Sequence, residues 1–240
     1  MSLRGARALV TRAAEDATEL EELLRQRGAV PMRMPCIELA DGEDAARIAG
    51  IVQSPPSRRP ELIVVASPHA ARRLRALCGS IEVPLAAVGA ATARELAGEV
   101  IVPATGVGAE ALVATLRSQV AGKRVLVPRA EGGNPALVEG LRAAGASVEV
   151  LTLYRTVLAR SADLSVLQGL DAISFASGSA VRGFVSLAGA GAARGVAVAC
   201  MGQNCAEEAK KAGIEPDAVA AGGLNELCDA LALAVRLRRG

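Results

Sequence analysis

The sequence predicts an α/β protein of two similar lobes, each built on a parallel sheet flanked by helices. Three observations predict it: short apolar runs alternate with amphipathic stretches, the available core residues are aliphatic, and the first half of the chain is echoed in the second. Hydrophobic residues make up 51% of the 240, yet only Tyr154, Phe175 and Phe184 are aromatic. Val, Leu, Ile and Ala must therefore interdigitate between sheet and helices, which suits strands buried on both faces. The length allows one large domain or two small ones, and the internal echo favours two.

That echo is direct. A shift of 117 positions lays Arg7 to Ala29 over Arg124 to Ala146 without a gap, and 11 of the 23 pairs are identical. Further on, Ala66-Ser67-Pro68-His69-Ala70-Ala71-Arg72 matches Ala176-Ser177-Gly178-Ser179-Ala180-Val181-Arg182. Val88-Gly89-Ala90-Ala91-Thr92-Ala93 then matches Met201-Gly202-Gln203-Asn204-Cys205-Ala206. The changed offsets are what insertions in surface loops produce.

Each repeated junction reads as the end of a strand followed by the start of a helix. Ala8 to Thr11 is a short apolar strand, and Leu20, Leu23 and Leu24 put one apolar stripe on the next helix. Gly28 closes that helix, as a glycine in the left-handed region does. Ser67 follows the apolar run Leu62 to Ala66 and precedes Pro68, so an N-cap oxygen stands beside a proline at the first helical position. Ser177 caps in the same way after Ala172 to Ala176. Ser54 to Pro60 holds three prolines and reads as an exposed turn.

Several function classes are disfavoured. The 27 basic and 25 acidic residues nearly cancel, and so few aromatics leave no stacking surface, so no nucleic-acid partner is expected. No membrane association is expected, because no segment reaches the roughly 18 apolar residues of a span and the first residues lack a signal-peptide pattern. Five scattered cysteines, an odd number, read as reduced thiols of a cytoplasmic protein. With a single histidine, His69, and no Cys-x-x-Cys, zinc sites and histidine-dependent triads lack parts, and no metal is expected. Gly106-Val107-Gly108-Ala109-Glu110-Ala111 has the form of a dinucleotide fingerprint, but no acidic residue follows at the end of the next strand. It reads instead as a loop opening a helix.

Ligands of parallel α/β sheets sit beyond the carboxyl ends of strands, where loops and free helix N–H groups gather. The repeated junctions lie there, and the positive end of a helix dipole favours carboxylate or phosphate. Arg12 and Arg129 hold equivalent places just past a strand end; a guanidinium fork there suits a carboxylate, and a surface ion pair explains it nearly as well. Ser67, Ser177 and Ser179 are candidates for presenting hydroxyl and backbone N–H groups to such a ligand, and pure N-caps would look identical in sequence.

Taken together, Val10-Thr11-Arg12, Ala66-Ser67, Gly89 to Ala93, Val127-Pro128-Arg129, Leu153-Tyr154-Arg155-Thr156, Ser174 to Val181 and Gly202 to Ala206 resemble the uroporphyrinogen-III synthase family. The resemblance covers essentially the whole chain. It implies a lyase that closes the linear tetrapyrrole hydroxymethylbilane with inversion of its last ring and loss of water, in heme biosynthesis. It implies no cofactor and no metal, and a monomer is expected. It also implies two α/β lobes joined by two extended linker strands, with substrate held between them. Mapped onto this chain, one lobe is 1–35 with 157–240 and the other is 36–156.

The same resemblance marks Tyr154, the sole tyrosine, as a donor to the departing hydroxyl, and Thr92 as a cleft residue able to contact a substrate carboxylate. On the residues alone, a linker tyrosine packed on a lobe is the favoured reading of Tyr154, and capping explains Thr92 about as well as a ligand contact. Cys205 stands where the second Gly-x-x-Thr-Ala copy would carry its threonine, so its place among the substrate-binding positions lacks the hydroxyl. The reading from another class is a non-catalytic two-lobed module that binds a small anion and regulates something else.

Overall fold

A computed structural model describes residues 2–239. In chain order its first half contains β1 (Arg7–Val10), α1 (Ala17–Gln26), β2 (Val30–Arg33), β3 (Ile37–Asp41), α2 (Ala45–Val52), β4 (Leu62–Val65), α3 (Pro68–Cys78), β5 (Leu85–Ala87), α4 (Ala90–Leu96) and β6 (Val100–Ile101). There follow α5 (Ala109–Leu116), β7 (Arg124–Ala130), α6 (Ala136–Ala143), β8 (Ser147–Leu158) and β9 (Ala172–Phe175). The chain closes with α7 (Gly178–Ala188), β10 (Ala197–Met201), α8 (Gln203–Lys211), β11 (Ala218–Ala220) and α9 (Leu224–Arg239). Residues up to Leu39 together with those from Thr156 onward form one compact unit, and Ala40–Arg155 form the other.

The first unit carries a sheet ordered β11-β10-β9-β1-β2, with every described pairing parallel. Successive strand residues feed opposite faces, as the pleat requires. Ala8 and Val10 join Leu20, Leu24, Leu227 and Leu231 in one apolar cluster, whereas Leu9, Ile173, Phe175 and Val198 join Phe184 and Val181 in another. Helices thus cover both faces, and near-continuous burial of β1, β9 and β10 follows from that sandwiching.

The second unit carries the order β3-β8-β7-β4-β5-β6, with parallel pairing described from β8 through β6. Leu62, Val64, Val125 and Val127 pack one face against Leu112 and Leu116 of α5 and Leu137 and Leu141 of α6. Burying one such leucine contributes on the order of 1.5–3 kcal/mol.

The duplication reappears as topology. Matching β9 with β4, β10 with β5, β11 with β6, β1 with β7 and β2 with β8 turns the five-strand order into that of the larger sheet, with β3 left as its added edge strand. The sequence-matched helices α1 and α6 end alike: Gly28 has φ +85° and Gly145 φ +87°. Gly28 N–H donates to Arg25 and Ala29 N–H to Leu24, while Gly145 donates to Arg142 and Ala146 to Leu141, a Schellman closure in both copies. The anticipated serine caps also form: Ser67 Oγ accepts from Ala70 N–H at 3.1 Å, and Ser177 Oγ from Ala180 N–H at 3.2 Å. The Gly106 to Ala111 segment opens α5, with Gly108 at its N-cap.

Candidate functional site

In the second unit the chain leaves β4 through α3 toward β5, and leaves β7 through α6 toward β8, on the other side of the sheet order. Because β4 and β7 are neighbours, the loops beyond their carboxyl ends diverge and open a crevice at this switch point. A cavity of about 320 Å³ lies there. Ala66, Ser67 and Ala70 line it from the β4–α3 junction, Val88 from the end of β5, Gly108 and Ala109 from the start of α5, and Arg129, Gly133, Asn134 and Leu137 from the β7–α6 junction, with Tyr154 from β8.

Three residues singled out in the sequence meet at this cavity: Ser67, Arg129 and Tyr154. The register explains the third. A bulge between Arg129 and Ala130 sets Ala130 opposite Tyr154, after Arg129 has paired with Thr152. Tyr154 is then only 8% exposed, and its hydroxyl lies 3.5 Å from Ser67 Oγ. His69 and Arg73, four residues apart on α3 and so on one helix face, approach the same ring: the His69 ring centroid is 6.5 Å away, and the Arg73 guanidinium carbon sits 5.7 Å from the Tyr154 centroid.

Arg129 is electrostatically available. Among the described residues its guanidinium has one hydrogen bond, from Nη1 to the Asn134 carbonyl at 3.2 Å, and no carboxylate partner. Asn134 Oδ1 in turn accepts from Ala136 N–H at 2.9 Å, which ties the turn to the start of α6. Gly133 packs beneath the arginine: a Cβ there would stand 3.3 Å from Arg129 Cδ. A cation held this way beside a helix start suits an anionic group.

The remaining predicted positions behave differently. Arg12, the repeat counterpart of Arg129, has a distant ion pair with Asp16 at 3.9 Å. Ser177 caps α7, and Ser179 Oγ accepts from Arg182 Nη2 at 3.2 Å; both are half-buried at the carboxyl end of β9. Thr92 is 2% exposed in the first turn of α4 and is not among the residues lining the cavity. Cys205 is 3% exposed, packed in the Phe175 cluster, and its Sγ donates to the Phe175 carbonyl at 3.4 Å. Both side chains are buried, and neither lines this cavity.

Asn134, Gly133 and Arg73 escaped sequence reasoning. Gly-Gly-Asn-Pro ahead of α6 was a legible signal for the first two, because such a turn caps a helix and leaves backbone bare. Nothing local marks Arg73. Among the described residues, no three His, Cys, Asp or Glu side chains gather closely enough to hold a metal ion, and no helix is long and apolar enough to cross a membrane.

Fold and site together define a duplicated, doubly wound α/β protein with a strand-end cavity suited to an anion. Residues 18–222 match the uroporphyrinogen-III synthase HemD family. The chain belongs to that family. Its fold is similar to that of the uroporphyrinogen-III synthetase of Helicobacter pylori, at 18% identity over 97% of this chain and 100% of that one, with a TM-score of 0.58. The uroporphyrinogen III synthase of Thermus thermophilus aligns at 16% identity over 97% and 100% of the two chains, with a TM-score of 0.47. No curated protein matches the chain in sequence.

Proposed function

We propose that the protein is a lyase that cyclises hydroxymethylbilane to uroporphyrinogen III with loss of water. Family membership supports this reading over a regulatory anion-binding module. The observation in the site that carries it is the meeting of Arg129, which has no carboxylate partner among the described residues, with the hydroxyls of Ser67 and Tyr154 around one cavity. At about 320 Å³ the cavity is at the small end of ligand sites, so it suits the carboxylate side chains of one pyrrole ring and not a whole linear tetrapyrrole.

In this reading the terminal hydroxyl leaves, pushed by the electron-rich pyrrole, while Tyr154 donates a hydrogen bond to it. A phenol is protonated at neutral pH and able to donate. The substituted carbon of the last ring attacks the resulting azafulvene to give a spiro intermediate. The bond from that carbon to its original bridge then breaks, and the ring's free α-carbon bonds to the freed bridge and loses its proton, which inverts the ring and completes the loss of water. The protein's main contribution is orientation, which in well-aligned intramolecular reactions reaches roughly 7–11 kcal/mol. Arg129 pairs with an acetate or propionate of the substrate, and Ser67 orders both the helix start and the Tyr154 hydroxyl. Arg12, Ser177 and Ser179 offer corresponding polar groups at the strand ends of the first unit. Thr92 and Cys205 are assigned packing roles only. We further propose a cytoplasmic monomer that acts without nucleic acid.

The test is the product: purified protein mixed with freshly prepared hydroxymethylbilane should yield mainly the type III macrocycle, separable from type I by chromatography. Formation of only the type I ring, as in buffer without protein, would overturn the assignment.

A further inference from the structure

We propose that Arg73 is a positioning residue that fixes the Tyr154 ring, and through it the placement of the phenol at the cavity. The inference rests on the reading of Tyr154 as donor to the departing hydroxyl. Tyr154 sits near the end of the second unit's last strand segment, so β8 alone leaves its ring free to turn about its side-chain bonds. The restraint comes from α3. Its N-cap, Ser67, holds an oxygen 3.5 Å from the phenol, and one face of the helix brings His69 and Arg73 to the ring itself.

Of these, Arg73 has the geometry of a clamp. Its guanidinium carbon lies 5.7 Å from the ring centroid, within the range where a cation is drawn to an aromatic face, and its side chain is only 21% exposed, so water screens the contact weakly. Its Nη1 also pairs with Asp41 Oδ1 at 3.1 Å, at the end of β3. That second anchor limits the freedom of the long arginine side chain, which would otherwise spend its entropy against the stacking. Arg73 thus joins the end of β3 to Tyr154 on β8 within the second unit. An aliphatic residue of equal length would fill the space without holding the ring face.

Tyr154 is the sole tyrosine and the chain has no tryptophan, so the near-ultraviolet circular dichroism of the tyrosine band reports this one ring. Arg73→Met should lose about half or more of that band with unchanged far-ultraviolet signal, and should lower kcat about fivefold with KM within about twofold. Arg73→Lys, which keeps the charge but not the planar fork, should fall between the two. In a Tyr154→Phe background, Arg73→Met should change turnover by less than about twofold, because its effect runs through the phenol. Should Arg73→Met prove unfolded, Arg73→Lys carries the same readings.

An unaltered tyrosine band in a folded variant overturns the proposal, as does an equal loss of turnover in both backgrounds. If wild-type protein makes no type III macrocycle, the reaction reading fails, while the band still decides whether Arg73 holds the ring.

Discussion

The hydroxyls of Ser67 and Tyr154 lie 3.5 Å apart at one cavity, although 87 positions separate them in the chain. Ser67 Oγ also accepts from the first turn of α3, so the atom that caps the helix is also within reach of the phenol. Substituting Ser67→Ala should therefore do two things at once. Loss of the cap should lower stability by about 0.5–2 kcal/mol in denaturant unfolding, and turnover should drop further than that loss of folded protein explains. Asn, which caps as well as Ser, should restore stability without restoring turnover.

Tyr154→Phe keeps the ring and its packing but deletes the donor. We expect kcat to fall at least about tenfold, with the unfolding midpoint nearly unchanged, because one hydrogen bond to a charged leaving group accounts for roughly 1.5–3 kcal/mol. Wild-type turnover in this variant would remove the phenol from the mechanism.

Arg129 has no carboxylate partner among the described residues to lose, so Arg129→Met should leave folding intact. If it receives a substrate carboxylate, kcat/KM should fall roughly 10- to 100-fold, mostly through KM, and the wild-type value should weaken with added salt more steeply than the variant's. Steady-state kinetics at two ionic strengths measures both.

Gly42 tests the frame behind the site. A Cβ at Gly42 would stand 2.1 Å from the Thr152 carbonyl oxygen, and Gly42 N–H already donates to Leu153 at 2.9 Å. Neither backbone can yield without breaking that contact, so Gly42→Ala should destabilise by about 3 kcal/mol or more. Chemical denaturation gives the value directly.

Acid stability has an identifiable source in the first unit. Arg33 donates from Nε and Nη2 to the two carboxylate oxygens of Glu21, at 2.5 and 2.8 Å, and Arg25 adds a third bond. The Arg33 hydrogen bond, aided by Arg25, holds the Glu21 carboxyl below its ordinary range against the opposing effect of burial. A depressed carboxyl stabilises fully above its unfolded-state pKa of about 4.3, and the contribution is lost as pH falls through the lower folded-state value. Glu21→Gln should therefore narrow the gap to wild type as pH drops from about 6 to about 3. A gap independent of pH would refute the linkage.

All five cysteines are buried and free. Burial pushes the Cys36 thiol up to about 12 and the Cys228 thiol up to about 11, while the Cys205 contact and burial push Cys200 up as well. Thiolate, not thiol, is the nucleophile. The Cys200 contact lowers the Cys205 thiol, so for that one burial alone bars the reagent. A chromogenic disulfide reagent should react slowly with native protein at pH 8 and label all five after denaturation.

Much of the fold was legible because its signals are local. The aliphatic runs of β1, β4 and β9, the serine caps and the glycine closures of α1 and α6 each express one backbone requirement within a few residues, so the repeat exposed them twice. The site was legible only in part. Ser67, Arg129 and Tyr154 follow from position at strand ends and from family resemblance, but whether a side chain at such a place faces a cavity depends on helix phase and strand register. That is why Thr92 and Cys205, well placed in sequence, are buried, and why Arg73 went unnoticed.

The sequence by itself determined the element types, their parallel pairing, the duplication and the turn chemistry, because periodicity and capping act over short separations. Only the tertiary structure decided that β4 lies beside β7, that a bulge sets Ala130 opposite Tyr154, and that Arg129 lacks a carboxylate partner among the described residues. Those outcomes depend on distances between residues far apart in the chain, which packing fixes and local propensity does not.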